Sequence, residues 1–195
     1  MTYRSQTQAP LRFDLTRGRI TNADGDGFML IPLTVLNELC RELSQDSLTS
    51  FGYALGTEIG RRMAPAGESG GEAAVPSLHE VVAQLGSELA VAGVGSLGVE
   101  LWGNALVFTL RNPGLSLGGS EAVDRADPLL GALLAGILMR AFSRDANVVP
   151  LGRTNDVARF VVCNPQSSDH IETWVQSHLS PAEVLGRLND QGATL

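Results

Sequence analysis

His79, His170 and His178, Cys40 and Cys163, and 21 carboxylates are the groups from which this 195-residue chain would have to build a metal site or a nucleophile–base pair. Their spacing supports neither. The two cysteines are far apart and lack the CxxC spacing of zinc or redox sites, so they read as buried free thiols in a reducing compartment. His170 and His178 stand at i and i+8 without a carboxylate–histidine spacing and read as solvent-facing. His79 reads as an exposed first-turn residue. No Gly-x-Ser-x-Gly elbow is present. Gly93-Val-Gly-Ser-Leu-Gly98 has the glycines of a phosphate loop but leads into a strand, so no helix N-terminus waits to receive the anion. Asp24-Gly-Asp26 lacks the third oxygen ligand and the terminal glutamate of a calcium loop and reads as a solvated turn. Glu58 and Arg62 are spaced for an ordinary intrahelical ion pair, and Arg61-Arg62 reads as a solvated helix end. Lysine is absent, which excludes Schiff-base and P-loop lysine chemistry. The expectation is a protein with no catalytic residue, no cofactor and no metal.

What stands out instead is a surface without side chains. Gly52, Gly56 and Gly60 recur every fourth residue inside the helical pattern Ser47–Met63. Each glycine costs roughly 1 kcal/mol relative to alanine in a helix interior, so three on one stripe call for something pressed closely against them. The opposite stripe, Leu48, Phe51, Leu55, Ile59 and Met63, is bulky and apolar. Close helix packing or a dimer contact is expected at the three glycines. Phe51, Tyr53, Leu55 and Ile59, with Leu130, Leu134, Ile137 and Leu138 of a second helix, are the candidate walls of an apolar pocket. The plainer reading of the same residues is a close-packed core and a dimer interface.

The elements that must hold these residues follow from periodicity. Leu11–Ile20 alternates as a strand, Asn22–Gly27 is a turn and Phe28–Ile31 a second strand, giving a hairpin. Leu33, Leu36, Leu39, Cys40 and Leu43 mark a first helix, and Ser47 is the expected N-cap of the glycine-striped one. Residues 65–76 form a Gly/Ala/Glu loop without periodicity, and 1–10 a polar, flexible N-terminus. Ser77 and Glu80 suit a capping box for a third helix. Gly98–Trp102 and Ala105–Arg111 are strands joined at Gly103-Asn104, and 112–127 is a long polar connection. Asp127-Pro128 reads as N-cap plus first helical proline before Leu129–Phe142, which is apolar nearly all round and therefore central. Val148–Leu151 and Val157–Cys163 pair next. Two further helices follow, the second opened by the capping box of Ser180 and Glu183. Hairpins with helices grouped on them define an α+β fold: a twisted antiparallel four-stranded sheet with helices on one face, plus an N-terminal hairpin.

Composition agrees with an ordinary globular domain that covers some of its surface with another molecule: 44% of residues are hydrophobic and only 18% charged. The net charge of −7 argues against nucleic acid as a partner. No apolar run reaches the ~20 residues of a membrane span, and the first ten residues lack the order of a signal peptide, so a cytoplasmic protein is expected.

Three strings also resemble a known family. Phe13-Asp-Leu-Thr-Arg-Gly-Arg-Ile20 with Phe28-Met-Leu-Ile-Pro32 is similar to the opening hairpin of the vinyl-reductase-like (4VR) small-molecule-binding superfamily, whose fold is shared with the core subunits of the TRAPP tethering complex. Residues 51–62 are similar to its tyrosine- and glycine-bearing second helix, and 129–142 with Phe160-Val-Val162 to its C-terminal half. The likeness covers about residues 11–163 and leaves 164–195 as a C-terminal helical extension. It implies a helical layer on an antiparallel sheet, a homodimer, and an apolar cavity between layers. The metal-binding cysteines of that family are missing from 152–160, so a metal is not carried over. The implied function is a non-enzymatic sensor or carrier of a hydrophobic small molecule. The alternative is an adaptor that uses the same fold, through its C-terminal helices, to bind a protein without a ligand.

Overall fold

In the computed structural model the described residues are 11–21, 25, 27–63, 78–116, 124–143, 145–154 and 156–190, with the side chains of 78–81 and 142 left aside. The expectations for 1–10, 65–76, the Asp24–Asp26 turn and the Ser77 cap lie outside them.

Two sheets and six helices make up the described chain. The N-terminal sheet has three short antiparallel strands, β1 (Arg12–Asp14), β2 (Arg19–Thr21) and β3 (Gly27–Phe28). The alternation expected to make one strand of Leu11–Ile20 is therefore cut in the middle. Asp14 Oδ1 accepts from the Arg17 backbone N–H at 3.0 Å, and Gly18 takes a positive φ of 62°, so the chain turns back on itself at residues 15–18.

Helix α1 (Leu33–Glu42) and helix α2 (Gln45–Met63) follow. Ser44, not Ser47, begins α2: its Oγ accepts from the Ser47 N–H at 3.3 Å. Helix α3 (Leu78–Val91) leads to β4 (Ser96–Trp102) and β5 (Ala105–Arg111). Helix α4 (Asp127–Phe142), β6 (Asn147–Thr154), β7 (Val157–Cys163), α5 (Pro165–Gln176) and α6 (Pro181–Asp190) complete the order. The main sheet is antiparallel in the order β4-β5-β7-β6, which leaves β6 as an edge.

This is the α+β arrangement with an antiparallel four-stranded sheet that the sequence predicts, except that helices cover both faces of the sheet instead of one. One face of the sheet, carrying Phe108, Leu110, Ala158, Phe160 and Val162, packs under α4 and α3. The alternate residues Val107, Val149, Val161 and Cys163 pack against Ile171, Val184, Leu185 and Leu188, so α5 and α6 add a second helical layer on the other face. The C-terminal helices are thereby part of the fold. Asn189 of α6 closes the β4–β5 hairpin by accepting from Asn104 N–H at 3.1 Å and donating to the Trp102 carbonyl at 3.2 Å. Gly103 is in the left-handed region (φ 63°), as a two-residue turn requires. The Ser180–Glu183 capping box forms: the Ser180 N–H donates to Glu183 Oε2 at 2.8 Å and the Glu183 N–H to Ser180 Oγ at 3.4 Å.

Candidate functional site

The glycine stripe lies against α4 of the same chain. A Cβ on Gly56 would sit 2.7 Å from the carbonyl carbon of Leu133 and 2.9 Å from its Cα. On Gly52 it would meet Leu129, and on Gly60 the Ile137 carbonyl at 3.0 Å and Arg140 Cβ at 2.9 Å. Gly136 answers from α4: a Cβ there would lie 2.9 Å from the Thr57 nitrogen. The two helices touch backbone to backbone along their length. Covered in this way by its own chain, the stripe offers no face to a second copy, and the dimer contact expected there has no room.

The same contact decides the fate of the eight expected pocket residues. Ile59, Leu130, Leu134 and Ile137 are fully buried core side chains, and Leu138 is packed against them. Phe51 and Leu55 point outward and are exposed. The structure does not bring the eight around one space, because the glycine contact removes the space between α2 and α4. Of the eight, Tyr53 lines a cavity among the described residues.

That cavity is a cleft of about 1090 Å³ along the free edge of β6. One wall is α2, with Gln45, Thr49 and Tyr53, and α4, with Pro128, Ala132 and Ala135. Residues 147–150 of β6 form the floor, and Glu172, Val175 and Gln176 of α5, with His178 just beyond it, form the opposite wall. Ala132, Ala135, Val148 and Val149 are buried, whereas Tyr53, Glu172, Gln176 and His178 are exposed at the rim. The site is thus apolar along the α4 wall and most of the floor, and polar at its mouth and at the end where Asp124, Arg125 and Asn147 line it. Its depth has a local cause. Gly131 lets α4 approach the Val148 carbonyl of β6 closely, and small residues at 128, 132 and 135, one stripe of α4, leave the volume empty beside that contact. Pro150, which has no N–H, and the register shift between Pro150 and Gly152 blunt the edge against an added strand.

One end of the cleft is fixed by a buried charge cluster that periodicity does not reveal. Asp127 is expected to cap α4, but its carboxylate is turned away. Oδ1 accepts from Arg153 Nε at 2.9 Å and Nη2 at 2.6 Å, and Oδ2 from the Asp124 N–H at 2.8 Å. Arg153 also donates to the Leu115 carbonyl at 3.0 Å and stands 3.6 Å from Asp124 Oδ2. Asp127 is only 1% exposed, and burial raises its pKa above the ordinary carboxylate value, with the Arg153 hydrogen bonds pulling the other way. The cluster ties β6, the 112–116 segment and the start of α4 together.

The remaining candidate groups are structural. Burial pushes the Cys163 thiol up to about 12 and raises that of Cys40, so neither is a ready nucleophile. His170 stacks on Trp174, 6.4 Å between ring centroids. Arg62 lies 4.9 Å over the Phe28 ring and 3.7 Å from Glu88. Among the described residues no group of three His, Cys, Asp or Glu side chains is placed to hold a metal ion. No helix of the described residues is long and apolar enough to cross a membrane.

No family model matches the chain, and no curated protein does. Among solved structures, the fold is similar to that of the phenol-responsive sensory domain of the transcription activator PoxR, crystallised with phenol. The TM-score is 0.61 at 11% identity, over 85% of this chain and 91% of that one. At that identity the likeness is one of fold.

Proposed function

We propose that the chain is a non-enzymatic binding module for a small apolar molecule, acting as a sensor or carrier and as a homodimer, with the β6-edge cleft as its site. The observation that carries this reading is an apolar-floored cleft on a fold similar to that of a phenol-responsive sensory domain. The sequence resemblance to the vinyl-reductase-like superfamily points the same way. The floor and the α4 wall of the cleft are alanine, proline and valine side chains, which bind by excluding water, and the buried Asp124 at one end is held in the Arg153 cluster. Tyr53 and the polar rim can orient a hydroxyl or similar group at the mouth.

The experiment is native mass spectrometry of the purified protein, followed by thermal denaturation with a panel of phenols and other small apolar compounds. A ligand that binds only the folded state raises the melting temperature in a concentration-dependent way, by about 2.7 kcal/mol of stability at a hundredfold excess over Kd. Ala132→Phe and Val175→Phe fill the cleft from opposite walls and should abolish the rise. The adaptor reading, favoured by the exposed apolar residues near the N-terminus, instead predicts a stable complex with another protein and no bound compound.

A further inference from the structure

Among the described residues the N-terminal sheet pairs only with itself, and its cross-strand register places Phe13 opposite Ile20 and Ile20 opposite Phe28, an apolar row on one face. Strands of three, three and two residues are not held by their own hydrogen bonds; such a sheet persists when its apolar face is covered. Within one chain the cover is partial. Phe28 lies beneath the Arg62 guanidinium, but Phe13 stays 57% exposed and Leu15 in the adjoining turn 90%. The exposure continues along the chain through Met29 (81%) and Leu30 to Val35 and Leu39 on α1.

We propose that this surface, from β1 through α1, is where a second copy of the chain docks. The proposal rests on the homodimer reading above and assigns it a face. Eight large apolar side chains between Phe13 and Leu39 are exposed, Leu15 and Met29 by four-fifths or more, and a standard specific interface takes about 800 Å² from each partner. Monomers rarely expose a contiguous apolar patch of more than a few hundred Å². The charges at its rim select the occupant. On the sheet and its turn Arg12, Arg17 and Arg19 outnumber Asp14, and from the end of α1 into α2 Glu38, Glu42 and Asp46 outnumber Arg41, all of them exposed. The patch therefore carries both signs, and a twofold axis sets the basic sheet of one copy against the acidic helix junction of the other. A partner of one charge would match only half of it.

The test is the mass in solution of the full chain, by light scattering at micromolar concentration, for wild type, the double variant Leu15→Glu/Met29→Glu, and Leu101→Glu. Leu101 is 70% exposed on β4, in the main sheet, and serves as control. The expected masses are two chains, one chain and two chains. A one-chain wild type overturns both this face and the homodimer reading. A two-chain double variant overturns the face and leaves the homodimer standing. Hydrogen exchange of the wild type decides independently of whether the variant folds: on dilution, amides of the β1–α1 stretch should lose protection while β4–β7 keep theirs. Protection there that is independent of concentration contradicts the proposal.

Discussion

Replacing Gly56 by alanine adds one methyl group to the interior of a helix, a change that on propensity alone stabilises by roughly 1 kcal/mol. Here the sign reverses. The new Cβ would lie 2.7 Å and 2.9 Å from the carbonyl carbon and Cα of Leu133, and nearer still to its carbonyl oxygen. All three are backbone atoms, so no rotamer change relieves the clash. To restore ordinary contact, α2 and α4 must part by about 1 Å, loosening the packing of Leu48, Ile59, Leu129 and Leu133 together. Overpacking costs typically 1–3 kcal/mol, and contacts this short to backbone atoms call for the upper figure of about 3 kcal/mol, so a net loss of about 2 kcal/mol remains after the propensity gain of roughly 1 kcal/mol. For a chain of this length that is a fall of roughly 4–8 °C in melting temperature. Gly186→Ala is the matched control: it lies in α6, where a Cβ would meet nothing within 4 Å. That variant should gain up to about 1 kcal/mol. Both are read by calorimetry or circular dichroism on the full chain. If Gly56→Ala melts at or above the wild-type temperature, the backbone contact between α2 and α4 is not present.

Arg153→Met leaves the Asp127 carboxylate buried without its cation and should cost about 3–5 kcal/mol near neutral pH. Because burial raises the Asp127 pKa, the folded state holds the proton more tightly than the unfolded one, and stability falls as pH rises through the folded-state value. The cost of Arg153→Met should therefore shrink on acidification; a pH-independent loss contradicts the assignment. Glu183 behaves in the opposite sense. Hydrogen bonds from Ser180 lower its pKa, so its contribution is present above the ordinary value of 4.5 and is lost as pH falls below it. Ser180→Ala should lower the melting temperature more at neutral pH than in strong acid, where only the pH-independent bond from the Glu183 N–H is lost. Cys40 and Cys163 should react with a disulfide reagent only at the rate of unfolding; fast labelling of either in native protein would show a thiol more open than its burial allows.

Most of the architecture is legible in the sequence because local pattern and tertiary role agree. The all-round apolar run of α4 marks the central helix, Gly103-Asn104 the hairpin, and Ser180 with Glu183 the start of α6. The glycine stripe announces a close contact but not its partner. That α4 fills it depends on Gly136 and on a chain path that spacing alone does not reveal. The cleft is less visible. It exists because β6 is the edge of the sheet and because Pro128, Ala132 and Ala135 are small where α4 borders it, and only the second of these is written in the chain. The Arg153–Asp127 cluster joins residues separated by a hairpin strand and a helix, and nothing in periodicity couples them. The N-terminal strand is misread for a simpler reason: alternation at Phe13 and Leu15 continues into a turn that Asp14 and Gly18 set.

On the proposed function, the β6-edge cleft takes a small apolar ligand. Backbone amide NMR of the protein titrated with phenol and related compounds tests it most directly. Saturable shifts confined to Tyr53, Ala132, Ala135, Val149 and Val175 and their neighbours are expected, absent in Ala132→Phe. Saturable shifts that map elsewhere, or no saturable binding by any compound of the panel, would contradict it.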